Sequence, residues 1–249
     1  MQETTSSKPR DAALDSKQDT HTKDRVRRFP AIQLLLAIVL WIVATPFIDT
    51  LQYGDFIGAV LLTLLLFSAV LVVGANRQKL MVAFVLAIPS LVGKWVNHFW
   101  PHAMPTELFL AAGILFVAFV VVNLFHFIHT TPRVTIEVLC VAASNYLLIG
   151  LLWMFAYLLA TKLLPNSFIF PVGPASGRTM DGFNALYFSF VTLSTLGFGD
   201  IIPVSRMARM LAIVEAITGM FYVTFLVARL VALYSAEGSR KRSESFDES

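Results

Sequence analysis

Six apolar runs organise this chain: residues 31–48, 56–73, 80–96, 108–127, 134–163 and 207–234. A helix needs about 20 mainly apolar residues, with a lower limit near 17, to cross the hydrocarbon core of a bilayer. Each run meets that limit, and the last two are long enough to cross at a tilt. With hydrophobic residues at 57%, charged residues at 14% and a mean hydropathy of +0.72, little polar sequence remains for a soluble domain. Composition therefore points away from a soluble globular enzyme. The single cysteine, Cys140, rules out an internal disulfide framework and any multi-cysteine metal site.

The charges fix the expected orientation. Residues 1–29 are polar and read as a mostly disordered tail. No apolar stretch near Met1 forms the core of a cleavable signal peptide. The tail ends in Lys23, Arg25, Arg27 and Arg28, a basic cluster that holds its side of the membrane cytoplasmic and can rest on anionic lipid. The gap after the first run carries Asp49 and Asp55 and reads as outside, whereas Arg77 and Lys79 mark the next gap as inside. The stretch 94–107 is mixed, with Trp95 and Trp100 as interface anchors. Arg133, and then Arg240, Lys241 and Arg242, return to the inside. Lys94, Lys162, Arg178, Arg206 and Arg209 form an outside minority. An even number of spans, with both termini cytoplasmic, satisfies the positive-inside bias.

One gap is more than a loop. Residues 165–180 are rich in Pro, Gly and Ser, but residues 181–193 are apolar and aromatic and too short to span. Asp181 is placed to cap a helix there, its charge favourable at the N-terminus. The next residues are Gly-rich: Ser194-Thr195-Leu196-Gly197-Phe198-Gly199-Asp200. Non-helical backbone at membrane depth is tolerated only where it is buried in protein or lines a water-filled path. A re-entrant half-helix ending in such a segment between two spans points to a pore.

The full stretch Thr192-Leu193-Ser194-Thr195-Leu196-Gly197-Phe198-Gly199-Asp200-Ile201-Ile202-Pro203, preceded by Ser189-Phe190-Val191, resembles the selectivity-filter signature of the potassium channel pore family. The pattern of that family is Thr-x-Thr/Ser-Thr-aliphatic-Gly-aromatic-Gly-Asp. The resemblance covers about 134–234; over the whole chain the nearest likeness is to bacterial six-helix ion-channel-like proteins without a charged voltage sensor. It implies an all-α membrane protein with six transmembrane helices, a re-entrant pore helix and a selectivity filter, assembling as a homotetramer in the cell (inner/plasma) membrane. It divides the chain into a cytoplasmic tail 1–29, a sensor-like four-helix domain 30–130 lacking the arginines of a sensor, a pore domain 131–236 and a short cytoplasmic tail 237–249.

By the same resemblance, K+ is the permeant ion, no cofactor is needed, and the partners are membrane lipid and three further copies, with no nucleic acid. A potassium ion must exchange its water for equivalent oxygen ligands, which rings of backbone carbonyls supply. Thr195, Leu196, Gly197 and Phe198 would hold K+, with Gly199 completing the filter. Gly197 and Gly199 suit the positive φ that such a backbone requires. Asp200 would concentrate cations at the outer mouth. Tyr187 and Thr192 belong to the pore helix, whose C-terminal end favours a cation in the cavity. Phe198 and Leu196 stand where Tyr and Val are commoner, which predicts a filter less tightly braced and more prone to inactivate.

The last run fits the same plan. Gly219 lies 19 residues after Asp200, the offset of the inner-helix hinge, and close helix packing is the alternative reading. Met220, Val223, Val227 and Val231 recur on one helical face. The resemblance places them along the cavity and inner gate, and lipid or helix contact is the plainer reading. Glu215 is a carboxylate inside a span, a functional-site candidate by default. It is expected either to support the filter from behind, bonded to Thr192 or Tyr187, or to reach the outer interface.

The run 108–127 contains no Lys or Arg, so a voltage sensor is not expected. His126 and His129 share a helix face, and His98 and His102 sit near the outer interface, but no set of three or four metal ligands gathers in sequence. The rival readings are a weakly selective cation channel, an intramembrane enzyme and a transporter. The last two lack an HExxH, a GxSxG and a visible inverted repeat.

Overall fold

The computed structural model describes residues 31–47, 51, 54–73, 77–99, 105–131, 135–171 and 179–247. The tail 1–29, Asp49, Trp100, His102, Arg133 and Arg178 lie outside these, as do the side chains of Asp55, Lys94, His98 and residues 236–247. Among the described residues the chain is almost wholly helical: α1 (Ala31–Phe47), α2 (Gly54–Val73), α3 (Arg77–Phe99), α4 (Thr106–Thr130), α5 (Ile136–Leu163), α6 (Gly182–Leu193) and α7 (Arg206–Asp247).

Three of these helices are long and apolar enough to cross a membrane, over Thr106–Thr130, Ile136–Leu163 and Arg206–Ser235. The apolar helices Ala31–Phe47, Phe56–Val72 and Gly182–Leu193 are shorter. Helix α3 contains Pro89, which removes one i→i−4 hydrogen bond from its interior. Helix α7 does not stop at Tyr234. It continues to Asp247 through the segment that hydropathy alone reads as a tail.

Local chemistry sets the helix starts. Thr135 caps α5 by accepting the Val138 N–H, and Asp181 caps α6 by accepting the Asn184 N–H at 2.8 Å. The main hydrophobic core is one cluster of buried side chains drawn from every helix, α1 to α7. Leu34, Ile38, Phe116, Val120, Leu148 and Ala185 are all fully or almost fully buried in it. The largest helix interfaces are α4 with α5, α3 with α4, and α5 with α6, so the chain packs in sequential order. Two-residue strands, β1 (Phe168–Ile169) and β2 (Ile202–Pro203), pair antiparallel, Phe168 opposite Pro203 and Ile169 opposite Ile202. This ladder joins the segment before α6 to the segment after the Gly-rich turn. The Val204 N–H also donates to the Ser167 carbonyl at 2.8 Å.

Candidate functional site

Helix α6 lies between α5 and α7, and its C-terminus delivers the chain into residues 194–200. The turn out of the helix is held by main-chain bonds. Ser194 N–H donates to Phe190 O, Thr195 N–H to Thr192 O, and Leu196 N–H to Val191 O. Beyond it the backbone alternates in hand. Thr195, Gly197 and Gly199 have φ of +60°, +58° and +77°, while Leu196 and Phe198 between them are not in the positive region. In an ordinary strand successive carbonyls point to opposite sides. Alternating hand turns successive peptide planes the same way, gathering N–H groups on one side and carbonyls on the other. The glycines reach these angles at low cost. Thr195 does not, since a β-branched residue at positive φ is an outlier that costs about 1–2 kcal/mol. Nothing in the residue type announces it.

Residues 194–199 are exposed in the single chain, Leu196 and Phe198 by 61% and 65%. Asp200 is half-buried, and its carboxylate sits beside the Tyr187 hydroxyl of α6. Thr192 is half-buried on the same helix. Met220, Val223, Val227 and Val231 are all exposed along α7, but so are Ile213, Ile217 and Phe221. Most of the apolar surface of this helix is therefore uncovered in one chain.

Gly219 has a packing reason for being glycine. A Cβ there would lie 2.2 Å from the Leu193 carbonyl oxygen, at the C-terminus of α6. Helices α6 and α7 cross at this point with backbone against backbone. Gly150 on α5 does the same for the Phe190 ring, which a Cβ would meet at 2.7 Å.

Glu215 departs from expectation in its partners. It is fully buried within the chain, and it bonds neither Thr192 nor Tyr187. Ser189 Oγ lies 2.5 Å from one carboxyl oxygen, and the Tyr157 hydroxyl of α5 donates to the other. The rotational setting of α6 decides this: Ser189 and Leu193, both buried, form the face turned toward α7. Ser189 Oγ also contacts the Gly150 carbonyl at 2.7 Å. Lower on α7, the Tyr222 hydroxyl donates to Ala142 O at 2.8 Å, and Arg229 donates to Thr131 O at 2.8 Å. Tyr157 and Tyr222 carry no signal in sequence that singles them out, Arg229 is visible as a charge within the run 207–234, and Ser189 enters there only as part of the motif.

His126 and His129 are both exposed, and His129 stacks on Phe225 at 5.8 Å. Among the described residues no group of three His, Cys, Asp or Glu side chains comes together.

The ion channel family matches residues 152–236, the stretch from mid-α5 through the Gly-rich turn into α7. Two pore potassium channel b of Oryza sativa subsp. japonica is 39% identical over 84 residues, 33% of this chain and 23% of that protein. Two pore potassium channel a of the same species is 37% identical over 94 residues, 37% of this chain and 26% of its own length. Two-pore potassium channel 4 of Arabidopsis thaliana is 43% identical over 49 residues, 20% of this chain and 17% of its own length. The chain thus spans about a quarter or less of these relatives. No solved structure matches it significantly. The Gly-x-Gly-Asp turn after a short helix, and the two long apolar helices on either side, thus fall in the stretch that is similar to ion channels and to plant two-pore potassium channels.

Proposed function

We propose that the chain is the subunit of a potassium-selective channel that conducts K+ passively through a ring of four TLGFG filters. The observation that carries this reading is the alternating backbone at Thr195, Gly197 and Gly199, directly after a capped 12-residue helix. That backbone supports a column of carbonyls from Thr195, Leu196, Gly197 and Phe198, joined by the Thr195 hydroxyl, as the K+ sites. Gly199 closes the filter and Asp200 attracts cations to its mouth. One copy of the motif occurs in these 249 residues, so a closed ring calls for a homotetramer. The exposure of the filter segment and of the apolar α7 surface in a single chain supports the same assembly.

Helices α1–α5 and α7 then make six spans, with α6 re-entrant and both termini cytoplasmic in the cell membrane. Residues 30–130 form the sensor-like domain and 131–236 the pore. Met220, Val223, Val227 and Val231 line the cavity and inner gate, with Gly219 at the α6 crossing. No cofactor and no catalysis enter, K+ being the cargo, and the partners are lipid and the other three copies.

The test is a single-channel recording of the full chain in a planar bilayer, with K+ on one side and Na+ on the other. The reversal potential is expected close to the K+ equilibrium value, and native mass measurement is expected to give a tetramer. A reversal potential near zero would replace this reading with a weakly selective cation channel. A stable monomer that carries K+ would remove the ring.

A further inference from the structure

Glu215 poses a proton-counting problem. Its carboxyl is wholly buried, and among the described residues it forms no ion pair. An ionised, unpaired carboxylate in such a place is costly, and its charge would normally be met by a cation. The groups that meet it are hydroxyls. Three polar contacts converge here: Tyr157 hydroxyl with Oε2, Ser189 Oγ with Oε1 at 2.5 Å, and Ser189 Oγ with the Gly150 carbonyl at 2.7 Å.

Each contact needs one proton. A serine hydroxyl has one proton, a tyrosine hydroxyl has one, and a carbonyl or an ionised carboxylate has none. With Glu215 ionised, two protons face three contacts. If Ser189 donates to Glu215, its oxygen and the Gly150 carbonyl are two acceptors in contact. If it donates to Gly150, its oxygen and Oε1 are. Either choice leaves a buried acceptor pair without a hydrogen between them. With Glu215 protonated the count closes. Oε1–H donates to Ser189 Oγ, Ser189 donates to Gly150 O, and Tyr157 donates to Oε2.

We infer that Glu215 is held as a neutral carboxylic acid, and that its proton completes a hydrogen-bond chain from α7 through α6 to α5. Glu215 is thereby a positioning residue for the filter, acting through Ser189, four residues before the end of the helix that delivers residues 194–200. The protonation stands on the oxygens of the chain itself. Its consequence for ion selection rests on the channel reading above. The titratable groups facing Glu215 are Tyr157 and Tyr146 from α5. From α6 the facing group is Ser189, which does not titrate.

Losing the proton removes the donor that Glu215 offers to Ser189 of α6, so alkaline conditions loosen the hold on the filter. Glu215→Gln keeps a donor and an acceptor in the same places, its amide N–H meeting Ser189 and its carbonyl accepting from Tyr157. Infrared difference spectra of the full chain in lipid vesicles at neutral pH, wild type against Glu215→Gln, read the protonation directly and need no conduction. The expected result is a protonated-carboxyl C=O band that is lost in the variant. A spectrum in which only ionised-carboxylate bands change would overturn the assignment. Bilayer recordings across rising pH read the positioning role. Potassium-over-sodium selectivity is expected to fall in the wild type and to hold in Glu215→Gln. Identical pH profiles in the two proteins would overturn that role, whatever the infrared result.

Discussion

The two halves of this molecule are held together by different chemistry. In α1–α4 the contacts between helices are largely apolar, through side chains such as Leu34, Leu65, Ala69 and Val120. Their hydroxyls and amides often turn back on their own helix: Thr45 donates to Trp41 O, Asn123 to Phe119 O, and Thr63 to Ala59 O, the Thr63 hydroxyl also accepting from the Trp95 indole of α3 at 3.4 Å. In α5–α7 polar groups cross between helices, at Tyr157–Glu215, Ser189–Gly150 and Tyr222–Ala142. Lipid is as apolar as leucine, so burial alone does not fix how two helices are set against each other in a membrane. Directional bonds and close backbone contacts do. The half proposed to hold a row of carbonyls in register carries both. In α1–α4 such features are fewer: the Trp95 indole N–H reaching the Thr63 hydroxyl, and Gly93, where a Cβ would lie 2.5 Å from Phe109 Cβ.

Backbone hand is where that contrast can be broken most severely. Gly197→Ala or Gly199→Ala puts a Cβ on a residue at φ +58° or +77°. The penalty is about 1–2 kcal/mol per chain, repeated around a ring of four. Potassium selectivity or conduction is expected to vanish, while membrane insertion is unchanged. Bi-ionic reversal potentials on vesicle-reconstituted protein measure this, and a variant with normal selectivity would refute the filter assignment.

A smaller effect is expected where helices touch. Gly219→Ala drives a Cβ to 2.2 Å from the Leu193 carbonyl, a backbone atom that cannot rotate away. Overpacking of this kind costs roughly 1–3 kcal/mol. In the other half, Gly113→Ala on α4 meets only Phe155 and Ser90, at 3.8 Å, which is ordinary contact. Thermal unfolding in detergent should separate the two variants, Gly219→Ala melting clearly lower and Gly113→Ala near wild type. Equal melting would mean that α6 and α7 do not cross as closely as described. If Gly219 acts chiefly as a hinge, the variant would melt like wild type and change only its opening.

The same contrast governs how much of the molecule is legible in its sequence. The Gly-rich turn and its helix are encoded locally. Asp181 and the apolar run after it specify α6, and the glycines mark the positive φ. Glu215 is visible as a charge inside a span, but its partners are not, since Ser189 and Tyr157 lie 26 and 58 residues away and helix rotation selects them. The strands β1 and β2 are two residues each, too short to show an alternation. The extension of α7 past Tyr234 escapes hydropathy, which detects spans and not helices. Glu237, Arg240, Lys241, Arg242 and Glu244 are compatible with a helix that has simply left the apolar layer.

A milder probe removes one bond between helices and leaves the packing. Tyr222→Phe deletes the donor to Ala142 O. Interhelical hydrogen bonds in membranes are worth about 0.6 kcal/mol on average, so a small but measurable fall in stability is expected. Thr45→Val, whose hydroxyl bonds back to Trp41 O within α1, should cost less still. A larger loss from Thr45→Val than from Tyr222→Phe would reverse the comparison between the halves.

The smallest expected effect is on voltage. Moving one elementary charge through the membrane field is worth about 2.3 kcal/mol per 100 mV, so a sensor needs several charges that move. Helix α4, in the position a sensor would occupy, contains no Lys or Arg. Its only carboxylate, Glu107, is in the first turn, and its buried side is Leu110, Phe116, Val117, Val120, Leu124 and Ile128. A displacement of this helix therefore does almost no electrical work, and opening should be at most weakly voltage-dependent. Ions moving within the filter are a second source of voltage dependence, and Phe198, exposed and without the tyrosine hydroxyl, leaves that filter open to it. The two sources respond differently to the ion carried. Open probability against voltage, measured in symmetric K+ and then in symmetric Rb+, should change between ions if any dependence arises in the filter. A steep curve identical in both ions would show charge that moves outside the filter, although α4 contains no Lys or Arg.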